Sequence, residues 1–349
     1  MQSLTYIPDF QIVLTRRCAF DCGYCNFRRT ATPVLPSKKQ IVRLMQTARR
    51  LGAREITLVG GEGIAHLQEI VSTARYYGFA SWFDYVKFVC ETILDAGGPQ
   101  QGRRPLLPRL EMGPVSLTDL VKLKPFLPVM TLLIHSADDG LQSRPAHAHA
   151  PQKTLSQRLA ALELPGQLGI PTITGIMVGI GEERGSWERA AQAVTNLNKR
   201  MGHIQNFVIR PFYPLPYSAM AKQAPVSDEV LIDAVGVVRG VLDKKIMLTV
   251  ELQHRPHLAA AAAKAGADDL GRFFLGDSDR LHFEMPESIE KMIADARAEG
   301  IEITERMPLT DNFIRRRELP QAVSMALARC RQGNDGKDGS SGHLEAIGM

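Results

Sequence analysis

Short runs of β-branched and apolar residues alternate with stretches of helical periodicity about eight times along this 349-residue chain. After the first run, Ser37 is a favourable N-cap, and Ile41, Leu44, Met45 and Ala48 follow at helical spacing. This alternation indicates consecutive βα units and a parallel sheet covered by helices. Because no sequence unit repeats, the alternation fits a barrel better than a solenoid. We therefore predict an α/β fold, a (β/α) barrel of full or nearly full size, with an open doubly wound sheet as the alternative. The predicted strands are FQIVLTRRC, REITLVGGEG, PRLEMG, VMTLLIHS, IPTITGIMVGIGE, HIQNFVIRPF, IMLTVEL and DLGRFFLG.

The composition, with 44% apolar and 23% charged residues, is that of a globular chain, and the length suffices for one large domain or two modest ones. We predict that the barrel domain spans residues 1–331 and that residues 332–349, rich in Gly, Asp and Ser, form a flexible tail. The chain does not begin like a signal peptide, and no apolar run approaches the ~18 residues of a membrane span, so we expect a cytoplasmic protein without a membrane partner. The formal net charge is +5, but the basic residues are scattered, which argues against a nucleic-acid partner.

Several polar residues fall at or just past the ends of predicted strands. In a (β/α) barrel the chemistry lies at the carboxyl ends of the strands and in the loops that follow. A carboxylate or an imidazole there can act as acid, base or hydrogen-bond donor, although a strand-end histidine is more often a structural group. An arginine there can pair with a planar anion. The candidate catalytic residues are Glu111, His135, Asn206, Arg210 and Gln253.

Three of the five cysteines, Cys18, Cys22 and Cys25, lie within TRRCAFDCGYC, directly after the first predicted strand. They are too close in sequence for an ordinary disulfide framework. A structural zinc needs a fourth ligand, which only Asp21 or a distant histidine could supply, and a redox CxxC pair would not need the third cysteine. Three thiolates suit a [4Fe–4S] cluster in which one iron stays open to bind a small molecule.

The segment CAFDCGYC, with Tyr24 directly before its third cysteine, resembles the CxxxCxxC motif of radical S-adenosylmethionine (SAM) enzymes. The resemblance implies that Cys18, Cys22 and Cys25 hold a [4Fe–4S] cluster. It also implies that the open iron binds SAM, and that one-electron reduction cleaves this cofactor to methionine and a 5′-deoxyadenosyl radical. The protein would then hold the cofactor, aim the radical and exclude water.

Two glycine-rich stretches agree with that resemblance. LVGGEG is similar to the stretch that meets the methionine ammonium, and TGIMVGIGE is similar to the strand that runs under the adenosine. Taken alone, the first would be an ordinary turn, but its position one βα unit after the cysteines favours the cofactor role. The cofactor contacts implied by the resemblance are Tyr24, Gly60, Gly61, Glu62, Arg158 and Gly179.

From about Tyr6 to about Leu309 the chain resembles more closely the ring-closing subunit of 7,8-didemethyl-8-hydroxy-5-deazariboflavin (Fo) synthase. The segments LGIPTITGIMVGIGE, RMGHIQNFVIRPFYPLP and EGIEITERMPL carry this resemblance. It implies a lyase that removes a hydrogen atom from an adduct of tyrosine and a ribityl-diaminouracil and closes a ring with loss of ammonia. Fo is the precursor of coenzyme F420.

The resemblance also implies a small-molecule substrate, a one-electron donor such as flavodoxin or ferredoxin, and, as an open alternative, a partner radical SAM enzyme that supplies the substrate. The chain departs from the family pattern at GGEGIAHLQE, VELQHRPHLAA and LGRFFLGDSDRLHFEMPES. Because these segments are expected to face the substrate, a radical SAM enzyme acting on another aromatic or biosynthetic substrate is the first alternative. A zinc-stabilised binding protein without catalysis is a more distant one.

The other cysteines and a histidine-rich segment receive structural interpretations. Cys90 falls on the apolar face of a predicted helix, as a small core residue would, and no role is assigned to Cys330. The segment HAHA, with His147 and His149, could suggest metal binding, but no third ligand is near it in sequence, so we interpret it as a loop.

Overall fold

The computed structural model describes residues 2–29, 34–95, 106–277, 289–316 and 319–331. Within them, nine strands form one sheet with parallel pairing between neighbours. The strands are β1 (Gln2–Val13), β2 (Glu55–Val59), β3 (Leu107–Glu111), β4 (Val129–Thr131), β5 (Thr172–Val178), β6 (Ile204–Pro211), β7 (Met247–Val250), β8 (Asp269–Asp277) and β9 (Ile301–Glu305).

The first eight strands close into a barrel. Each pairs with the next along the chain, and β1 pairs with both β2 and β8. Closure confirms the predicted (β/α) barrel and excludes the open sheet. In register, Val13 lies beside Val59, and Val59 beside Glu111, so the loops that follow β1, β2 and β3 leave the barrel side by side.

Helices cover the outside of the barrel, and side-chain caps fix where several of them begin. Ser37 accepts a hydrogen bond from the backbone N–H of Gln40, and the Gln40 side chain accepts one from the backbone N–H of Ser37, which is a capping box. Thr154 and Ser227 cap two other helices by accepting a hydrogen bond from the backbone N–H three residues further on, without the reciprocal bond. The helices are α1 (Lys38–Arg50), α2 (Gln68–Tyr76), α3 (Trp82–Asp95), α4 (Leu117–Leu123), α5 (Leu155–Leu168), α6 (Gly185–Met201), α7 (Asp228–Val241), α8 (Ala259–Ala265), α9 (Ile289–Ala298), α10 (Asp311–Arg316) and α11 (Gln321–Arg331).

Strand β9 was not predicted. It pairs with Gln2–Tyr6 of β1, on the edge that β2 occupies further along the same strand, and so extends the amino end of the sheet. The segment after β9 packs against that end: Gln205, in β6, accepts from the backbone N–H of Thr310, and Arg306 pairs with Asp269. Leu309 and Phe313 join an apolar cluster with strand residues Leu107, Val129, Ile173 and Val208. The barrel interior is therefore closed at the amino end.

Two of the sequence predictions concern residues or side chains that the structure does not describe. The proposed flexible tail, residues 332–349, lies outside the described residues, as does the side chain of Cys330. Cys90 lies in α3 and is fully buried in the main core, as expected. In the part of the chain that is described, no helix has the length and apolar character needed to cross a membrane.

Candidate active site

The cysteine loop follows β1 and lies directly on the loop that follows β2. The backbone N–H of Ala19 donates to the carbonyl oxygen of Glu62, and the Cys18 Sγ lies 3.8 Å from that same oxygen. A Cβ atom at Gly61 would overlap the Arg17 carbonyl oxygen and lie 2.6 Å from the Cys18 Cα. Glycine is therefore required at position 61, since any side chain would push the two loops apart.

The loop that follows β4 holds the cysteine loop from another side. The backbone N–H of Gly23 donates to Ala146 at 3.0 Å, and that of Asp21 donates to His149 at 3.2 Å. A Cβ at Gly23 would overlap the Pro145 carbonyl oxygen. The cysteine loop is thus fixed by close backbone contacts with two other strand-end loops.

The three thiols belong to this fixed loop. Burial raises the pKa of Cys22, and burial raises that of Cys25 to about 12, with further contributions from the charges of Cys22 and Cys18. Among the described residues, no three His, Cys, Asp or Glu side chains are grouped to hold a single metal ion. A [4Fe–4S] cluster instead takes one thiolate per iron, and binding a metal removes the thiol protons. Three cysteines on one fixed, partly buried loop are a suitable donor set for a cluster with one open iron.

Glu62 contacts the cysteine loop through its backbone and a buried group of cations through its carboxylate. Its carboxylate accepts from Arg158 Nη2 at 2.9 and 2.8 Å and from Lys153 Nζ at 3.1 Å, and Gln152 Nε2 lies 3.3 Å away. Burial opposes its ionisation, but Lys153 and Arg158 outweigh burial and lower the pKa of Glu62 to about 2. Arg158 is fully buried, and its Nε and Nη1 have no hydrogen-bond partner among the described residues. These two nitrogens can therefore bind an anion next to Glu62.

His135 lies beside this group in a strained conformation. Its φ is 69°, and its backbone is held by hydrogen bonds to Gly175 and from Met177 on β5. Its Nε2 lies 3.1 Å from Lys153 Nζ, and its ring stacks on Tyr24 with centroids 5.9 Å apart. Burial, followed by the charges of Lys153 and Arg158, lowers the pKa of His135 well below its usual range. The imidazole is therefore neutral, and its Nε2 accepts a hydrogen bond from Lys153.

A second charged group lies at the mouth of the barrel. Arg210 pairs with Glu111 at 3.0 Å and with both oxygens of Glu251 at 2.7 and 3.1 Å. Arg272 pairs with the same two carboxylates at 3.0 and 3.2 Å, so positive and negative groups alternate in a ring. Burial opposes the charge of Glu251, but Arg210 and Arg272 lower its pKa to about 2. The ring stays ionised at neutral pH.

Three further predicted residues contact neighbouring strands and turns. Asn206 is buried four residues before Arg210 on β6, where it donates to Thr249 at 2.8 Å. Gln253 is also buried and accepts from the backbone N–H of Phe274. The N–H of Gly179 donates to the Glu182 carboxylate, which closes the turn after β5. No test of their roles follows from these positions, and they remain predictions.

Six of the predicted site residues fall into two neighbourhoods. Tyr24, Glu62, His135 and Arg158 gather around the cysteine loop, whereas Glu111 and Arg210 lie in the ring at the barrel mouth. Sequence reasoning missed Lys153, Glu251 and Arg272. Glu251 is the last residue but one of the predicted strand IMLTVEL and directly follows the observed β7, which was a usable signal. Lys153 and Arg158 are both cations near the start of α5.

A parallel (β/α) barrel with three cysteines on the loop after its first strand places the protein in the class of radical SAM enzymes. The sequence model of the radical SAM superfamily matches residues 12–194, just over half of the chain. The chain is similar to 7,8-didemethyl-8-hydroxy-5-deazariboflavin synthases, with 32% identity over 330 residues to that of Methanothermobacter thermautotrophicus, covering 92% of this chain and 95% of that protein. It is 31% identical over 322 residues to that of Methanococcoides burtonii, covering 90% and 91%. The chain therefore belongs to the radical SAM superfamily and, within it, to the 7,8-didemethyl-8-hydroxy-5-deazariboflavin synthase family.

The solved structures agree at the level of the fold. HydG, a maturase of the [FeFe]-hydrogenase, superposes with a TM-score of 0.70 at 14% identity, covering 94% of this chain and 70% of that one. An identity this low shows a shared fold and nothing about the reaction. The superfamily's cofactors are a [4Fe–4S] cluster and SAM, and its members act on a substrate with electrons from a donor.

Proposed function

We propose that this chain catalyses the ring-forming step in 7,8-didemethyl-8-hydroxy-5-deazariboflavin synthesis, as a radical SAM lyase. The observation that carries the proposal is the fixed three-cysteine loop beside the buried Glu62 and Arg158. The named relatives support the same reaction, because each matches at least nine-tenths of both chains. The alternative, a radical SAM enzyme acting on another aromatic or biosynthetic substrate, would share the cluster and the cofactor site and differ in its substrate and product.

Cys18, Cys22 and Cys25 would hold the cluster. Tyr24, Gly60, Gly61, Glu62, Arg158 and Gly179 would contact SAM. When bound, the cluster and SAM supply the 5′-deoxyadenosyl radical that takes a hydrogen atom from the substrate. The chain contributes position and charge: Gly61 lets the two loops meet, Glu62 offers a carboxylate to an ammonium, and the unpartnered nitrogens of Arg158 offer donors to a carboxylate.

The ring of Glu111, Arg210, Glu251 and Arg272 would form the floor on which the substrate lies. Because each charge in the ring is already paired, the side chains are held rigid, and they present both donors and acceptors to a polar substrate. His135, Asn206 and Gln253 remain candidates for substrate contact. The loss of ammonia during ring closure is also part of the proposal.

The remaining parts of the proposal concern the context of the enzyme. We propose one barrel domain over residues 1–331 followed by a tail, and flavodoxin or ferredoxin as the electron donor. A partner radical SAM enzyme would supply the adduct of tyrosine and ribityl-diaminouracil. The cytoplasm is the proposed location, since the three thiols must stay reduced to take up iron.

The test begins with anaerobic reconstitution with iron and sulfide, then addition of dithionite and SAM. The wild-type protein is expected to bind iron and to release 5′-deoxyadenosine, measured by chromatography. Cys22→Ala should lose nearly all of this product, because one of the three proposed cluster ligands is missing. Cys90→Ala is the matched control: this thiol is buried in α3, far from the loop in sequence, and its loss should leave iron content and product unchanged.

Three outcomes would contradict the proposal or part of it. Retention of cofactor cleavage by Cys22→Ala would reject the cluster assignment, and binding of zinc without iron would favour the non-catalytic alternative. If 5′-deoxyadenosine forms but the adduct gives no deazaflavin by mass and absorbance, the alternative substrate class is supported instead.

A further inference from the structure

The structure buries one histidine of the HAHA segment directly behind the cysteine loop. His147 is 1% exposed, whereas His149, two residues later, is exposed. The neighbouring backbone carbonyls of Ala146 and His149 accept hydrogen bonds from Gly23 and Asp21 of the cysteine loop. The sequence interpretation as a loop is correct for the backbone but does not account for the buried ring.

Both ring nitrogens of His147 have no hydrogen-bond partner among the described residues. The ring packs edge-on against Tyr24 and His135, with centroid distances of 5.9 and 6.2 Å. Folded proteins pair nearly all of their buried polar groups, because an unpaired one loses its hydrogen bonds to water without replacement. The two unpaired nitrogens of this buried ring are therefore available to a bound ligand.

The charges around the ring indicate what kind of ligand this is. Lys153 and Arg158 carry two positive charges, which Glu62 offsets only once. Asp138, the other carboxylate near the ring, is paired with Arg144 at 3.1 Å. The pocket is therefore net positive and favours an anion. A neutral imidazole offers one N–H donor, which is what an anionic acceptor needs.

We propose that His147 donates a hydrogen bond to an anionic acceptor of the bound cofactors, either a sulfur of the iron–sulfur cluster or the carboxylate of SAM. This inference rests on the proposed function, because both acceptors belong to the radical SAM site. His147 is thus a cofactor-binding residue that the motif residues do not include.

The test uses the full chain with its cluster reconstituted, and its readouts do not depend on turnover. His147→Phe keeps an aromatic ring beside Tyr24 and removes both nitrogens. His147→Gln and His147→Leu are two further variants of similar size. Gln keeps an N–H donor and Leu has none. His149→Phe is the control, since this side chain is exposed and belongs to the same segment.

Two measurements separate the two acceptors. If the acceptor is a cluster sulfur, the reduction potential without SAM falls in the Phe and Leu variants and stays closer to wild type in Gln, because hydrogen bonds to sulfur tune the potential. If the acceptor is the SAM carboxylate, that potential is unchanged, and the dissociation constant of SAM for the oxidised, cluster-loaded protein rises roughly tenfold or more in Phe and Leu, with a smaller rise in Gln.

The inference is overturned if neither quantity changes in a folded Phe or Leu variant, or if Gln and Leu behave alike. In that case His147 is only a packing residue beside Tyr24. A wild-type protein that takes up no iron would instead reject the proposed function itself, so the two failures are distinguishable.

Discussion

Two glycines let the cysteine loop approach its neighbours closely. Gly61 meets the backbone of Arg17 and Cys18, and Gly23 meets the backbone of Pro145. In both places the atoms in the way belong to backbone, which cannot rotate aside as a long side chain can. The position of the three thiols is therefore set by the absence of Cβ atoms in the loops around them.

Replacing Gly61 by alanine is expected to displace the cysteine loop. The protein should lose about 1–3 kcal/mol of unfolding free energy through overpacking and retain less iron after reconstitution. Gly236→Ala is the matched control, because nothing lies within 4 Å of a Cβ built at this position on α7. There alanine should stabilise the helix by about 0.5–1 kcal/mol. Urea denaturation and iron analysis check both variants, and equal effects at the two positions would contradict the argument.

Helix caps link the sequence to the position of each element. Ser37, Thr154 and Ser227 each accept from a backbone N–H in the first turn, which would otherwise lack a partner. The cap at Thr154 matters for the site, because it starts α5 between Lys153 and Arg158 and so fixes both cations relative to Glu62. At this scale a local sequence signal has a direct effect on the geometry of the pocket.

Ser37→Ala should lower the free energy of unfolding by about 1 kcal/mol, because α1 loses its capping box. Ser37→Asp should restore most of this loss, since aspartate is also a favourable N-cap. Ser72→Ala, in α2, is the control: this residue is exposed, its hydroxyl donates to the carbonyl oxygen of Glu69 at 3.3 Å, and its loss should change stability by less than about 0.5 kcal/mol. Urea denaturation measures all three, and a Ser37→Ala value equal to the control would reject the role of the cap.

The strands of the barrel and the start of α1 could be predicted from the sequence because each depends on a local pattern. Strand β9 was missed, although Ile301 and Ile303 alternate with exposed residues, because only two apolar positions carry the signal. The sequence analysis selected Gln253 rather than Glu251 as a candidate. An error of one or two residues in the assumed end of the strand is enough to cause this choice. The contacts of Lys153 depend on the path of the long segment after β4, and no local pattern encodes that path.

In the whole molecule, ion pairs fill the part of the barrel interior that lies between its apolar amino end and its mouth. Arg109 pairs with Glu55 at 3.2 Å, and the Arg272 Nη1 lies 3.9 Å from the Asp9 Oδ2. With the ring of Glu111, Arg210, Glu251 and Arg272, this gives four carboxyl groups and three guanidinium groups. One carboxyl group is thus in excess of the cations. Such an interior specifies one arrangement of strands, because a misplaced charge inside the barrel is costly.

The excess carboxyl group is expected to be Asp9, which gives the barrel a pH-dependent stability. Asp9 is fully buried, its Oδ1 accepts from the backbone and the side chain of Thr57, and its Oδ2 has no hydrogen-bond partner in the described part of the chain. Burial, reinforced by the Glu55 charge, raises the pKa of Asp9 to about 7. Between pH 4 and 7 the folded protein therefore holds a proton that the unfolded chain has released. Its contribution to stability decreases as the pH rises through this window, by up to about 1.4 kcal/mol per unit.

Asp9→Asn should remove this dependence, because asparagine keeps an acceptor for Thr57 and does not titrate. The measurement is the free energy of unfolding in urea at pH 5, 6 and 7 for both proteins. The difference between wild type and Asp9→Asn should shift in favour of the variant as the pH rises, while the other titrating groups largely cancel in the comparison. A difference that stays constant over these three values would show that Asp9 is ionised throughout, and the excess proton would then have to lie on another group of the barrel interior.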